Sequence, residues 1–285
     1  QEEPEVSISE CGLPYALSGK IGDRERLTSR TPEDFAANGI EVFTRHRVER
    51  IDHENRRLSV KDLKTGVGFE DGYDRLVIYP LLVVDSVYTG GLSLEQVNKA
   101  IGSDGEWLRA VRYLPSFYDR PEYHQRLARH VREGVQPLRE RYASSQIGVV
   151  LLNHGCPYKA NGFETGIRES RALYHHVREL LVHEFPSISV GWMNHPTPGR
   201  WTQPDMLQAA RNLITTGARA VAFVPIGFVT DNHETILDVG YTMHELRAEQ
   251  PAVELSRLPS LNDDAELLRM AASWVEPLVE SAAAA

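Results

Sequence analysis

The chain has 285 residues, of which 41% are hydrophobic and 25% are charged, so it can form one large or two modest globular domains. Its formal net charge of −9 and pI near 5.7 exclude the clustered basic surface that nucleic-acid binding requires. No apolar run has the ~18–20 residues that cross a bilayer, the segment after Gln1 is unlike a signal peptide, and two cysteines leave no disulfide framework, so a cytoplasmic protein is expected.

The first 78 residues predict a small α+β segment. Short runs at 41–44, 58–61 and 76–78 are typical of strands separated by turns. The segment contains Cys11-Gly12-Leu13-Pro14-Tyr15, Arg30-Thr31-Pro32-Glu33-Asp34-Phe35 and Tyr73-Asp74-Arg75-Leu76-Val77-Ile78. These motifs resemble an internal segment of the flavin-dependent coenzyme A-disulfide reductases and NADH oxidases, in which the Cys of C-G-L-P-Y is a redox-active thiol. The resemblance makes Cys11 a candidate redox thiol.

No flavin site accompanies that resemblance. A dinucleotide-binding turn has the spacing G-x-G-x-x-G, because glycines let backbone amides approach the pyrophosphate. Residues 1–78 contain no such turn, and Ile78 continues into Tyr79-Pro80-Leu81 where the flavoenzymes have Ala-Thr-Gly. We therefore expect no FAD, and without a flavin or a partner thiol Cys11 is an inert thiol.

Residues 79–280 predict an α/β domain, followed by an alanine-rich tail at 281–285. Strand-like runs at 77–84, 147–152, 188–192, 219–225 and 252–258 alternate with helical stretches, the pattern of a parallel sheet covered by helices on both faces. One predicted helix runs from about 167 to 185 and stops before Pro186, and a second lies between Pro204 and Gly217.

Four motifs occur in this region in a specific order. They are Val149-Val150-Leu151-Leu152-Asn153-His154-Gly155-Cys156-Pro157, Gly199-Arg200-Trp201-Thr202-Gln203-Pro204, Val224-Pro225-Ile226-Gly227-Phe228-Val229-Thr230-Asp231-Asn232-His233-Glu234-Thr235 and Leu258-Pro259-Ser260-Leu261-Asn262-Asp263. Together they resemble the ferrochelatases, in which one strand ends in a catalytic His and a V-P-I-x-F-V-[ST]-D-H-x-E-T-L segment contains a catalytic Glu. The resemblance covers about residues 77–280 and lacks roughly the first quarter to third of that family.

The resemblance implies roles for individual residues. His154 and Glu234 are the expected catalytic pair and metal ligands: a neutral imidazole can ligate Fe²⁺ or accept a proton, and a carboxylate can hold the metal or relay protons. The expected substrate-binding residues are Tyr88, Trp201, Phe228, Asp231 and His233.

The region also departs from the family pattern. Asn232 stands where the family has His, and Asn194 and His195 stand where it commonly has Ser and Arg. A simpler interpretation of Asp231 and Glu234 is an N-cap and its capping-box partner at a helix start.

The ferrochelatase resemblance implies an enzyme of haem biosynthesis that inserts Fe²⁺, its substrate metal, into a porphyrin. One alternative in the same fold is a cobalt or nickel chelatase of a reduced tetrapyrrole such as sirohydrochlorin. Cys11 favours instead an FAD-dependent thiol or disulfide oxidoreductase, and the missing part of the family favours a non-catalytic tetrapyrrole-binding remnant. Peripheral membrane contact and the oligomeric state stay open.

Overall fold

The computed structural model describes residues 31–37, 41–52, 54–73, 77–78, 82–84, 112–114, 116–158, 165–195 and 199–280. The chain divides into two compact units, Gln1–Ile78 with Ser93–Tyr113 and Tyr79–Leu92 with Leu114–Ala285. Cys11 and Tyr88 lie outside the described residues, so what we expect of them stays a prediction.

The described part of the first unit is built around a three-stranded antiparallel sheet. Its elements are α1 (Pro32–Ala36), β1 (His46–Asp52), β2 (Arg57–Asp62) and β3 (Gly68–Gly72), with strand order β1-β2-β3. Two short strands, β4 (Val77–Ile78) and β5 (Arg112–Tyr113), pair in parallel. The strand predicted at 41–44 is wrong, because the chain turns at Thr44 and Arg45, where Arg45 has φ 58°, and the strand begins only at His46.

The second unit is an α/β domain. Its elements are α2 (Pro121–Gly134), α3 (Gln136–Arg139), β6 (Ile147–His154), α4 (Ile167–Leu181), β7 (Ile188–Met193), α5 (Met206–Thr215), β8 (Ala220–Pro225), α6 (Val239–Glu249), β9 (Glu254–Arg257) and α7 (Ala265–Glu280). The four strands are parallel, in the order β7-β6-β8-β9. The predicted α/β class and parallel sheet are confirmed. Of the strand predicted at 77–84, the described residues contain β4 at Val77–Ile78, which pairs with β5, and a bend at Val83 and Val84.

Helices cover both faces of this sheet. Val149 and Leu151 of β6 belong to a core that includes α2, α4 and α7, whereas Val150 and Leu152 belong to a second core that includes α5 and α6. Burial on both faces explains why β6 is an unbroken apolar run. In an open α/β sheet ligands bind outside the carboxyl ends of the strands, so ligands are expected at the edge where β6 ends in His154. In the described part of the chain, no helix is long and apolar enough to cross a bilayer.

Candidate functional site

Polar residues lie at or after the carboxyl ends of three neighbouring strands of the parallel sheet. β6 ends at His154, β7 is followed by Asn194 and His195, and β8 leads through a loop into a π-helical turn, Glu234–Asp238, that precedes α6. Because the carboxyl ends of parallel strands meet at one edge of a sheet, the side chains of these three segments converge.

His154, His195 and Glu234 form a compact triangle of donor atoms. Glu234 Oε1 lies 3.4 Å from His154 Nε2 and 3.2 Å from His195 Nε2, and the two imidazole nitrogens are 3.2 Å apart. The Glu234 side chain is 5% exposed, whereas those of His154 and His195 are 48% and 40% exposed. Within the described residues, these three side chains are a cluster of ligating groups that could hold one metal ion.

The two imidazoles of the site keep the Glu234 carboxylate ionised. Burial alone would raise the pKa of Glu234, but the imidazoles of His154 and His195 lower it well below its usual range. Burial would likewise lower the pKa of His154, yet the neighbouring Cys156 and Glu234 side chains and the Gly155 carbonyl raise it above the ordinary value. At neutral pH the imidazole of His154 therefore carries the proton of this pair, and a cation that binds both donors would displace it.

The tautomer of neutral His154 suits metal binding. Its Nδ1 lies 2.7 Å from the carbonyl oxygen of Gly155. A carbonyl can only accept a hydrogen bond, so Nδ1 carries the proton and Nε2 presents its lone pair to the triangle. Glu234 Oε1 is buried and lies within ion-pair distance of both imidazoles without making a conventional hydrogen bond to either. A cation placed between these atoms would satisfy this oxygen, so the residues fit a divalent metal.

Close backbone contacts hold the segment after His154 in place. Gly155 N donates to Met193 O at 2.8 Å, which links the ends of β6 and β7. A Cβ at position 155 would lie 2.6 Å from Met193 O and 2.8 Å from Asn194 Cα, so glycine is required by the close approach of the two chains. This contact fixes the separation of His154 and His195.

The start of the helix that bears Glu234 is capped by Asn232 and Thr235. Asn232 Oδ1 accepts from Thr235 N at 3.1 Å, and Thr235 Oγ1 accepts from Asn232 N at 2.9 Å. The capping-box interpretation of Asp231 and Glu234 is therefore wrong: Asn232, at the family's His position, takes over the cap, and Glu234 turns inward toward the imidazoles.

Asp231 anchors the loop that precedes Glu234. Its carboxylate accepts hydrogen bonds from Arg257 Nη1 at 2.9 Å and from Ser260 N at 3.0 Å, and its own N donates to Asn262 Oδ1 at 2.7 Å. Burial would raise the pKa of Asp231, but the Ser260 amide and Arg257 lower it below its usual range. Asp231 thus ties the β8 loop to the segment after β9, and its role toward a substrate stays a prediction.

Two aromatic side chains flank the triangle. The ring of Trp201 lies edge-on to His195 at 5.8 Å between centroids, and that of Phe228 lies 6.2 Å from His154. His233, next to Glu234, is 7% exposed. The structure thus brings Trp201 and Phe228 to the predicted pair of His154 and Glu234, while Tyr88 is outside the described residues.

His195 is the site residue that sequence reasoning missed. Two signals were available: its departure from the family pattern, and its position two residues after β7, beside the strand that ends in His154. The second signal requires the strand order, which adjacent apolar runs in the sequence do not reveal.

Comparisons with known proteins match this region. The family model described as Ferrochelatase matches residues 66–278, beginning before residue 77, where the motifs place the start of the resemblance. The ferrochelatase of Synechococcus sp. (strain JA-3-3Ab) is 28% identical over 216 residues, which cover 73% of this chain and 60% of that protein. The ferrochelatase of Cyanothece sp. (strain PCC 7425 / ATCC 29141) is 27% identical over 200 residues, covering 68% of this chain and 50% of that protein. The chain spans between 50% and 60% of the length of these two relatives.

Two solved structures show remote likeness. SirB from Bacillus subtilis with Fe³⁺ has a TM-score of 0.49 and 10% identity, covering 75% of each chain. The water-forming NADH oxidase from Lactobacillus brevis, bound to NADH, has a TM-score of 0.26 and 14% identity, covering 90% of this chain and 39% of that one. Both likenesses are too remote to assign an activity.

Proposed function

Because the chain belongs to the ferrochelatase family, we propose that it inserts a divalent metal ion into a tetrapyrrole. One observation supports this most directly: His154 Nε2 and Glu234 Oε1 lie 3.4 Å apart at the carboxyl edge of the parallel sheet, with the carboxylate buried and the imidazole open to solvent. These are the two residues that the sequence motifs predict as metal ligands.

The reaction exchanges one divalent cation for two pyrrole protons, and no electrons are transferred. Once the proton of His154 has been displaced to solvent, the neutral imidazole and ionised Glu234 supply lone pairs that replace part of the hydration shell of the ion. As the ion moves onto the ring nitrogens, the same lone pairs become free to accept the two pyrrole protons. His154 is 48% exposed, so protons that reach it can leave to solvent.

The macrocycle must bend before its nitrogen lone pairs can reach the metal. Such distortion costs about 1–5 kcal/mol, which contacts remote from the reacting nitrogens supply. Trp201 and Phe228 flank the two imidazoles and offer aromatic surfaces against which a flat ring can stack. We assign them, with Asp231, His233 and Tyr88, to substrate binding.

Fe²⁺ and a porphyrin are the proposed metal and substrate, and haem biosynthesis is the proposed role. The second candidate is a cobalt or nickel chelatase of a reduced tetrapyrrole. The donor set is compatible with it, because His195 adds a second imidazole to the site and imidazole is a suitable ligand for nickel, zinc and copper as well as iron.

We also propose that residues 79–280 perform the metal chemistry, that residues 1–78 form a separate flavoprotein-like segment without FAD, and that 281–285 are a tail. The family match ends at residue 278, which supports the boundary between the region of metal chemistry and the tail.

An anaerobic insertion assay tests the proposal. The full chain is mixed with Fe²⁺, Co²⁺, Ni²⁺ or Zn²⁺ and with either a porphyrin or sirohydrochlorin, and metallation is followed by the visible spectrum of the macrocycle. We expect turnover with a porphyrin and Fe²⁺. Turnover restricted to sirohydrochlorin with Co²⁺ or Ni²⁺ supports the second candidate, and tight tetrapyrrole binding without turnover overturns both in favour of a binding protein.

A further inference from the structure

His195 lies at the site although sequence reasoning did not place it there, and its Nε2 is 3.2 Å from both His154 Nε2 and Glu234 Oε1. We propose that His195 is a third metal ligand beside His154 and Glu234. The three donors form a preformed site for a four-coordinate metal, and His195 thereby determines which metal is delivered. Delivery to a tetrapyrrole rests on the proposed function, whereas the binding of the metal does not.

The spacing of the three donors matches one face of a tetrahedron. The sides of the triangle are 3.2, 3.2 and 3.4 Å. A tetrahedral ion with bonds of ~2.0–2.1 Å to nitrogen and oxygen separates its donors by about 3.3–3.4 Å. Octahedral Mg²⁺ at ~2.0–2.1 Å needs adjacent donors about 2.8–3.0 Å apart. The spacing of the three donors therefore suits a tetrahedral ion better than an octahedral one.

The chemistry of the donors points to the same class of metal. Two imidazoles and one carboxylate favour Zn²⁺, Co²⁺, Ni²⁺ and Fe²⁺ over Mg²⁺ and Ca²⁺, which prefer all-oxygen ligand sets. Glu234 contributes a buried oxygen, and the two imidazoles are 48% and 40% exposed, so the fourth coordination position is accessible from solvent. A water molecule or a ring nitrogen can occupy that position.

A hydrogen-bonded clamp holds His195 against the segment that follows His154. Asn194 Nδ2 donates to Thr202 O at 2.8 Å, and Thr202 Oγ1 donates to Asn194 Oδ1 at 3.3 Å. Thr202 Oγ1 also accepts from Cys156 N at 3.1 Å, and the Thr202 side chain is fully buried. Thr202 therefore joins the segments after β6 and β7 and is a positioning residue for both imidazoles.

Asn194 and His195 both depart from the pattern of the family that the sequence resembles, and they are the residues that build the clamp and the third ligand. The two departures thus act on the same site: Asn194 orients the backbone at the end of β7, and His195 presents its imidazole to the triangle.

Cobalt spectroscopy tests the ligand directly. The metal-free full chain is titrated anaerobically with Co²⁺, whose visible absorption is several-fold more intense in four-coordinate than in six-coordinate sites, and Zn²⁺ affinity is measured by competition. We expect the intense spectrum in the native chain and in His183→Ala, which removes an exposed histidine outside the triangle. In His195→Ala the spectrum should weaken and Zn²⁺ affinity should fall by more than ~100-fold, because loss of a group that merely supports a ligand already costs ~10–100-fold.

Thr202 variants test the clamp. Thr202→Val should lower Zn²⁺ affinity by ~10–100-fold, the range for supporting residues, and Thr202→Ser, which keeps the hydroxyl, should stay near the native value. X-ray absorption of the Zn²⁺-loaded native chain provides a measurement that needs no variant, and two imidazoles per metal are expected. One imidazole, or native Co²⁺ spectra and Zn²⁺ affinity in folded His195→Ala, would overturn the proposal.

Competition between metals tests whether His195 determines which metal is delivered. If His195 determines delivery, His195→Ala should change the ratio of Co²⁺ to Fe²⁺ insertion, and an unchanged ratio contradicts that step. An inactive native chain that still gives the four-coordinate Co²⁺ spectrum would refute the proposed function and leave the ligand assignment standing. An active native chain without that spectrum would support the proposed function and refute the assignment of His195 as a ligand.

Discussion

Glu234 Oε1 faces His154 Nε2 at 3.4 Å across the ends of two neighbouring strands, although one residue ends β6 and the other begins the π-helical turn after β8. The carboxylate is buried and the imidazole is open, so the pair places an ionised acid beneath an imidazole that can exchange its proton with solvent. This pairing has consequences that can be measured without any substrate.

Glu234→Gln should lower the pKa of His154. The ring is partly buried, which opposes its protonation, and the Glu234 charge is one of the groups that raises its pKa above the ordinary value. Titration of the imidazole by NMR measures the shift. Glu245→Gln, which removes an exposed carboxylate that pairs with Arg211, is the control and should leave His154 unchanged. An identical His154 titration in both variants would mean that Glu234 does not face the imidazole in solution.

Gly155→Ala should destabilise the domain by about 1–3 kcal/mol and weaken metal binding. The added methyl group would lie 2.6 Å from Met193 O and 2.8 Å from Asn194 Cα, so backbone must move and the two imidazoles must separate. Denaturant unfolding and Zn²⁺ titration measure the two effects. Gly240→Ala is the matched control: its methyl group meets no atom within 4 Å and lies in a helix, so stability should rise by up to ~1 kcal/mol. Equal behaviour of the two variants would contradict the close approach at Gly155.

Much of the fold and part of the site could be predicted from the sequence. The runs that became β6 and β8 are apolar because both faces of the sheet are buried there, and His154 at the end of β6 and Glu234 after β8 lie within recognisable motifs. The apolar runs in the sequence were sufficient to predict these strands, because burial on both faces gives such strands a continuous apolar sequence.

The remaining features depend on contacts between distant segments. His195 joins the site because β7 lies beside β6, and the π-helical turn directs Glu234 inward while Asn232 and Thr235 take the capping role. No spacing along the chain reports either relationship. The wrong strand at 41–44 has a local cause, since the turn at Arg45 uses a left-handed backbone conformation that non-glycine residues seldom adopt.

The ion pair between Arg126 and Asp264 should make stability fall in acid. Arg126 Nη2 and Nε bind the Asp264 carboxylate at 2.8 and 3.1 Å, and both side chains are largely buried. The Arg126 hydrogen bonds lower the pKa of Asp264 to about 2. In the unfolded chain Asp titrates near ~3.9, so the stabilisation is complete above that pH and is lost as pH falls from about 4 to about 2.

Asp264→Asn should therefore remove roughly 2 kcal/mol of unfolding free energy at neutral pH and little near the bottom of that window. Denaturant unfolding of both proteins at several pH values measures the difference. A difference in unfolding free energy that stays constant at every pH would show that Arg126 does not lower the pKa of the Asp264 carboxyl. Glu245→Gln again provides a control, because its carboxylate is exposed.

Cys11→Ser should leave tetrapyrrole metallation unchanged, and the purified chain should contain no FAD. Residues 1–78 lack the glycine-rich turn that a dinucleotide requires, so no bound flavin is expected to exchange electrons with the Cys11 thiol. The visible absorption spectrum of the protein and the insertion rate of the variant measure the two expectations. Stoichiometric FAD, or NADH-dependent disulfide reduction abolished by Cys11→Ser, would instead identify an oxidoreductase.

The most direct test of the account is the rate of anaerobic metal insertion in His154→Ala, normalised to folded protein. Removing a group that both ligates the metal and accepts a pyrrole proton should slow insertion by at least ~100-fold, the lower range for loss of a general base. The side chain is about half exposed and lies at a strand end, so the fold should persist, and His183→Ala should insert metal at the native rate. Native turnover in folded His154→Ala would contradict the assignment of this site to metal insertion.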